Sequence, residues 1–349
     1  MMRVYSDVVQ FRGTHYDFGY KQGELLRDSF ILPNRKKQWN AQRARHFMTD
    51  EQEALKFLTH FAPNLLEEIQ GLSDALGWEP ADALREFGGY YIEYTRSGCS
   101  ILTGDDFMVR NYDSTPLGYE GRFAFYAPTD GGYATAGPSM QITGRTDGIN
   151  EKGLAMGYNF INRRNSGDGF ICNMIGRLVL ENCADVDEAI ALLRAIPHRR
   201  SFSYVLLDPS GETVVVEASA GAVKIRRASI STNHFELLTG ENRYRTDDSR
   251  RRQKILQEQQ ESADTAFEAF RLLNSEENEV FSKKYDASAG TLHTAVYMPH
   301  SLRIGFALGG NRLPLMMDFG QWLAGKPFNI KRINGEIDSK LPFVNTESI

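Results

Sequence analysis

The 349-residue chain is 41% hydrophobic and 24% charged and carries a net charge of −5 at pH 7, the balance of a globular protein with room for one large domain or two ordinary ones. That charge offers no general attraction to nucleic acid, and no run approaches the ~18 apolar residues needed to cross a bilayer. The first seven residues lack the apolar core of a secretion signal, so the expected location is the cytoplasm, with neither nucleic acid nor membrane as a partner.

The predicted elements change character near residue 98. A strand over 4–11 ends at Arg12-Gly13-Thr14, and helical spacing follows over 16–27 and 51–76. In the second stretch Leu55, Leu58, Phe61, Leu65, Ile69 and Leu72 recur three or four residues apart, and Pro63 breaks or kinks it. Pro80 suits the first turn of a further helix running toward Tyr91. From Ser97 onward the pattern is short strands and tight turns, at 100–103, 107–111, 121–127, 140–146 and 154–160. Two helices are expected at 172–183 and 186–195. A strand pair at 202–207 and 212–218 flanks the turn Asp208-Pro209-Ser210-Gly211, with another strand at 223–231. Helices at 248–259 and 263–273 and strands at 293–298 and 302–308 complete the chain. Strands, a helix pair, strands, helices and strands again describe an α+β protein of two sheets sandwiched between helices rather than alternating βαβ units.

The three cysteines, Cys99, Cys172 and Cys183, are odd in number and fit no zinc or redox spacing. A free cysteine is ordinarily a small buried hydrophobe. No G-x-G-x-x-G, G-x-x-x-x-G-K-[ST], H-E-x-x-H or G-x-S-x-G is present, so nucleotide, zinc and serine-hydrolase chemistries lose their usual anchors.

The stretch Arg96-Ser97-Gly98-Cys99-Ser100 stands where helices give way to strands. Glycine before cysteine leaves the peptide carbonyl open to close approach. Cutting the Gly98–Cys99 bond would free an α-amine that titrates at about 8 and can serve as base for its own thiol. A hairpin turning at Gly104-Asp105-Asp106 would return Arg110 and Asp113 to Cys99, where Arg110 adds a fixed charge beside the thiol and Asp113 holds the amine. A strand-end ion pair is the plainer reading of those two residues.

Several segments in order resemble the choloylglycine hydrolase and penicillin acyltransferase superfamily of N-terminal-nucleophile hydrolases, in the branch that contains isopenicillin N acyltransferase. They are Arg12-Gly13-Thr14-His15-Tyr16-Asp17-Phe18-Gly19-Tyr20-Lys21-Gln22-Gly23, Gly98-Cys99-Ser100, Arg110-Asn111-Tyr112-Asp113, the stretch from Asp147-Gly148-Ile149-Asn150-Glu151-Lys152-Gly153-Leu154 to Tyr158-Asn159-Phe160, Thr232-Asn233-His234-Phe235, and Ser249-Arg250-Arg251.

The resemblance implies a four-layer αββα sandwich over 99–349, preceded by a propeptide-like or small-subunit helical segment over 1–98. It implies Cys99 as nucleophile and base, Arg110 and Asp113 as the groups that set its ionisation, and Asn159 and Asn233 as donors to the oxyanion. Arg250 completes the charge network, with Arg251 as the alternate because Arg250-Arg251-Arg252 blurs the register. The implied reaction is attack of Cys99 on a linear non-peptide amide, an N-acyl amino acid or N-acyl amine, through a thioester, with no metal or organic cofactor. The implied partners are a small acyl amide or acyl thioester substrate, the two cleaved chains for each other, and a second copy in a homo-oligomer. Competing readings are an unprocessed ligand-binding relative, a papain-like hydrolase using His234 or His293 as base, and an interaction protein.

Overall fold

The computed structural model describes residues 1–41, 50–90, 98–162, 167–242 and 246–346. Tyr91, Arg96 and Ser97, which the sequence reading touches, lie outside them. The chain opens with strand β1 (Met2–Gly13) and helices α1 (His15–Arg27), α2 (Ile31–Ala41), α3 (Glu51–Phe61), α4 (Pro63–Leu76) and α5 (Pro80–Phe87). Strands β2 (Ser100–Thr103), β3 (Met108–Ser114), β4 (Arg122–Pro128), β5 (Thr135–Met140), β6 (Gly144–Arg145), β7 (Asp147–Asn150) and β8 (Ala155–Phe160) follow. Helices α6 (Cys172–Asn182) and α7 (Val186–Ala195) lead to β9 (Phe202–Leu207), β10 (Thr213–Ala218), β11 (Val223–Arg226) and β12 (Ile230–Ser231). After α8 (Asp247–Gln259) and α9 (Ala266–Asn274) come β13 (Lys283–Lys284), β14 (Ala289–Met298), β15 (Arg303–Leu308) and β16 (Leu315–Asp318). Helix α10 (Phe319–Leu323) and β17 (Arg332–Ile337) close the chain.

Local chemistry explains most boundaries. The Thr14 side chain caps α1 by accepting from the Asp17 amide. Pro63 begins α4 just after α3 ends, which splits the long apolar stripe in two. One expected strand breaks, and elements such as α2 and β17 were not expected. The strand expected at 140–146 is interrupted because Gln141 and Ile142 take left-handed backbone, φ 56° and 65°. Helix α2 was hidden by Pro33 and a polar run without a clear apolar period. Strand β17 was hidden by Asn334-Gly335, which reads as a turn.

The strands form two sheets, and each strand's two faces go to different cores. The larger sheet runs β11-β10-β9-β8-β7-β5-β4-β1-β17, with β6 on β5; the smaller runs β12-β2-β3-β14-β15-β16, with β13 on β14. Along β8 and β9, Met156, Tyr158, Phe160, Tyr204 and Leu206 pack under α6, α7 and the N-terminal helices. The alternate residues Ala155, Val205 and Leu207 enter the core between the sheets with Ile101, Tyr112 and Leu292. On the far side of the smaller sheet, Leu102, Val109 and Val296 pack against Leu256 of α8 and Phe270 and Leu273 of α9. Helices, sheet, sheet, helices is the four-layer αββα sandwich of the N-terminal-nucleophile hydrolases.

Residues before Cys99 are woven into this sandwich. Strand β1 lies between β4, which it pairs in parallel, and β17, which it pairs antiparallel. Helices α1 and α4 cross so closely that a Cβ on Gly19 would stand 1.9 Å from the Glu68 carbonyl oxygen. A buried polar chain joins them to the body. Gln22 donates to Glu68, Glu68 pairs with Arg177 at 2.8 Å, Arg177 pairs with Glu181, and Glu181 with Asp130 clamps His15.

Candidate active site

The hairpin expected around Cys99 forms. Strands β2 and β3 pair antiparallel with Ser100 opposite Asn111 and Ile101 opposite Arg110. Cys99, immediately before β2, is wholly buried. Its backbone nitrogen, the atom that cleavage would turn into an α-amine, donates to Asn233 Oδ1 at 2.8 Å.

Arg110 is enclosed on every side. Its Nη2 lies 3.6 Å from Cys99 Sγ and donates to the Tyr158 carbonyl at 2.6 Å; its Nη1 donates to the Thr146 carbonyl and the Asp147 carboxylate. The rings of Tyr112 and Tyr158 lie 4.9 and 4.8 Å from the guanidinium carbon, within cation–π range. Gly157 makes the room: a Cβ there would approach Arg110 Cδ to 3.0 Å. A fixed positive charge at this distance favours negative charge on a sulfur.

Asp113 ends the same strand. A bulge in β14 between Thr291 and His293 aims the Thr291 hydroxyl at Asp113 Oδ1, 2.7 Å away. Burial raises the carboxyl to about 7 against the pull of Arg252, Thr291 and Arg110. Asp113 Oδ2 lies 3.6 Å from where a Cβ of Gly98 would sit, so this acid flanks the Gly98–Cys99 junction.

Asn159 lies on β8, and Asn233 lies in the bend two residues after β12. Asn233 accepts from Cys99 and donates to the Phe160 carbonyl at 2.9 Å. Asn159, wholly buried on the inter-sheet face of β8, donates to Ser231 Oγ across the gap, and its Oδ1 has no partner among the described residues. In the uncut chain both amide NH2 groups are therefore engaged with protein oxygens.

The arginine run is read out differently from expectation. Arg250 is exposed and contacts Thr246, and Arg251 is exposed and pairs with Glu279 and Asp248. Arg252 is buried and reaches the site: Nη1 donates to the Cys99 carbonyl at 2.7 Å and Ser100 Oγ at 2.6 Å, and Nη2 to Asn233 Oδ1 at 2.8 Å. Helical period is the reason. Ser249, Arg252 and Leu256 form the buried stripe of α8, and three- and four-residue spacing puts Arg250 and Arg251 on the outer face. Leu256, apolar and four residues after Arg252, was the signal in the sequence. Asp147, Thr291 and Ser231 are further residues here that sequence reasoning did not single out.

The two candidate histidine bases face elsewhere. His234 bonds to Ser249 and Thr232, and His293 to Tyr119 and Asp147, so neither is bound to the sulfur.

The fold is that of the N-terminal-nucleophile hydrolase class, with Cys99 at the start of the buried hairpin. The family model described as acyl-coenzyme A:6-aminopenicillanic acid acyl-transferase matches residues 102–313, more than half of the chain. The chain belongs to that family, and it is an enzyme of the amide-hydrolase and acyltransferase type that acts on carbon–nitrogen bonds. The match begins just after Cys99. None of the curated proteins compared with the chain matches it. Among solved structures, it is similar to penicillin V acylase from Agrobacterium tumefaciens, at 16% identity and a TM-score of 0.45, over 64% of this chain and 86% of that one. It is also similar to a mutant of conjugated bile acid hydrolase from Clostridium perfringens, at 13% identity and a TM-score of 0.44, over 64% and 93%. The Caenorhabditis elegans ortholog of N-acylethanolamine-hydrolyzing acid amidase aligns at 14% identity and a TM-score of 0.37, over 58% and 92%. The family match, not these distant folds, carries the assignment. No described helix is long and apolar enough to cross a membrane.

Proposed function

We propose that this enzyme cuts its own Gly98–Cys99 bond and then hydrolyses, or transfers the acyl group of, linear non-peptide amides through a thioester on Cys99. The observation that carries the reading is the enclosure of Cys99, with Arg110 on its sulfur, Asn233 on its nitrogen and Arg252 on its carbonyl. In processing, the sulfur attacks the Gly98 carbonyl carbon, the C–N bond breaks and the nitrogen gains a proton. Water then cleaves the resulting thioester and leaves Gly98 as a carboxylate. In turnover the free α-amine takes the thiol proton, the thiolate attacks the substrate carbonyl, and the amine leaves with that proton. Water or a second amine resolves the thioester.

Asn233 holds the nucleophile's nitrogen, Asp113 stands ready to pair with the new ammonium, and Arg252 fixes the Cys99 backbone. Asn159, next to Tyr158 whose carbonyl binds Arg110, completes the wall. The segment 1–98 stays as a subunit, because removing β1 would open the larger sheet between β4 and β17. The cytoplasm, where thiols stay reduced, suits an enzyme whose nucleophile is a thiol.

Intact-mass measurement tests the reading. Purified protein is expected to show chains of residues 1–98 and 99–349, and a slow acyl amide is expected to add its acyl mass to the second. An uncut wild-type chain that binds amides without an adduct on Cys99 would establish the ligand-binding relative instead.

A further inference from the structure

The stretch that begins at Asp147 runs from strand β7 into a turn at Glu151 and Lys152. Asn150 accepts from the Lys152 and Leu154 amides and donates to the Leu180 and Cys183 carbonyls, which closes the turn onto α6. Asp147 does something else. It is wholly buried between the sheets, and four side chains converge on its carboxylate. Arg110 Nη1 and the Thr146 hydroxyl donate to Oδ1, His293 Nε2 lies 3.4 Å from Oδ1, and the Tyr297 hydroxyl donates to Oδ2 at 2.6 Å. The other ring nitrogen of His293 bonds to the Tyr119 hydroxyl at 2.6 Å, and Tyr112 stacks on the ring.

We propose that Asp147 is a positioning residue for the nucleophile: it anchors Arg110 against the Cys99 sulfur and, through its own charge, sets how much of that guanidinium's field the sulfur feels. The inference rests on the reading of Cys99 as nucleophile given above. A guanidinium has five donors in a rigid fork. Here Nη1 is spent on Asp147 and Thr146, which turns Nη2 toward Tyr158 and Cys99. Strand pairing supplies the lever. Asp147 sits on β7 opposite Gly157 of β8, the glycine over which Arg110 passes. The anchor is thus built into the larger sheet and the nucleophile into the smaller one. Burial works against the Asp147 charge, but Arg110, followed by His293, outweighs it and holds the carboxyl well below its ordinary range. The anchor therefore keeps its charge through the whole working pH range.

The test is Asp147→Asn in the full chain, which keeps the shape and removes the charge. Self-cleavage is expected to slow at least tenfold by intact mass, with kcat falling and KM unchanged. The alkylation rate of Cys99 in the processed chain is expected to rise at lower pH than in wild type, because the Arg110 field is no longer offset. A merely structural aspartate would lower thermal stability without moving that profile. Tyr297→Phe keeps the charge and removes one donor; it is expected to slow cleavage two- to fivefold and to decide the matter if Asp147→Asn does not fold. Cleavage within twofold of wild type and an unmoved profile in either folded variant would overturn the proposal. Cys99→Ala and wild type run alongside: a wild-type chain that never cleaves refutes the function reading, whereas equal cleavage in wild type and Asp147→Asn refutes only the positioning role.

Discussion

Two buried polar groups lie on opposite faces of the larger sheet, and they are built to different standards. Under the N-terminal helices, the chain from Gln22 through Glu68, Arg177 and Glu181 to His15 and Asp130 alternates acid and base at hydrogen-bond distance. Its charges hold one another. Burial pushes Glu181 upward, but Arg177 and His15 outweigh it and bring the carboxyl down to about 2. Between the sheets, the group around Cys99 is left incomplete. Asp113 rises to about 7 because burial exceeds what its arginines return, and Asn159 Oδ1 has no partner among the described residues. A completed network fixes the seam between the first 98 residues and the body. The incomplete one has room for a further charge, which under the proposed cleavage would be an ammonium at Cys99.

The comparison can be broken at several strengths. Cys99→Ala should abolish cleavage and turnover while the chain still folds; cleavage that persists in the absence of protease would falsify self-processing. Glu68→Gln attacks the completed network. It should cost about 3–5 kcal/mol of stability, as for one partner removed from a buried pair, yet leave the cleavage rate per folded molecule within twofold, read by denaturant midpoint and intact mass. If cleavage collapses while the midpoint holds, the two groups are not independent. Arg252→Ala removes charged hydrogen bonds of about 1.5–3 kcal/mol each, so cleavage should slow by one to two orders of magnitude. Arg250→Ala, on the exposed face of α8, should change neither rate nor stability by more than about 0.5 kcal/mol; the opposite ranking would return the role to Arg250.

A further expected effect is a slope with pH. An acid whose folded value is raised holds its proton longer when folded than when unfolded. Asp113 should therefore stabilise the fold fully below about pH 4 relative to alkaline solution, and lose that contribution as pH climbs to about 7. The limit is ~1.4 kcal/mol per pH unit. In a Cys99→Ala background, which keeps one chain, Asp113→Asn should flatten the decline of the denaturant midpoint between pH 4 and 7. A decline that survives in Asp113→Asn assigns the titration to another group.

Much of this molecule was determined by its sequence alone, because the signals are local. Apolar spacing in α3 and α4, the glycine–cysteine junction, and the turn at Gly104–Asp106 that folds β2 onto β3 each depend on neighbours a few residues apart. The four layers follow from period-two strands and period-3.6 helices taken in order. What only the tertiary structure decided involves residues far apart in the chain. It chose Arg252 over Arg250, since the stripe of α8 that faces inward depends on where Leu256 packs. It paired Asp147 with Arg110, 37 positions away, and it inserted β1 between strands from the middle and the end of the chain. A side chain's local propensity is the same on either face of a strand or helix. Which face is buried, and which charge it then meets, is settled only when the sheets close on each other and water leaves.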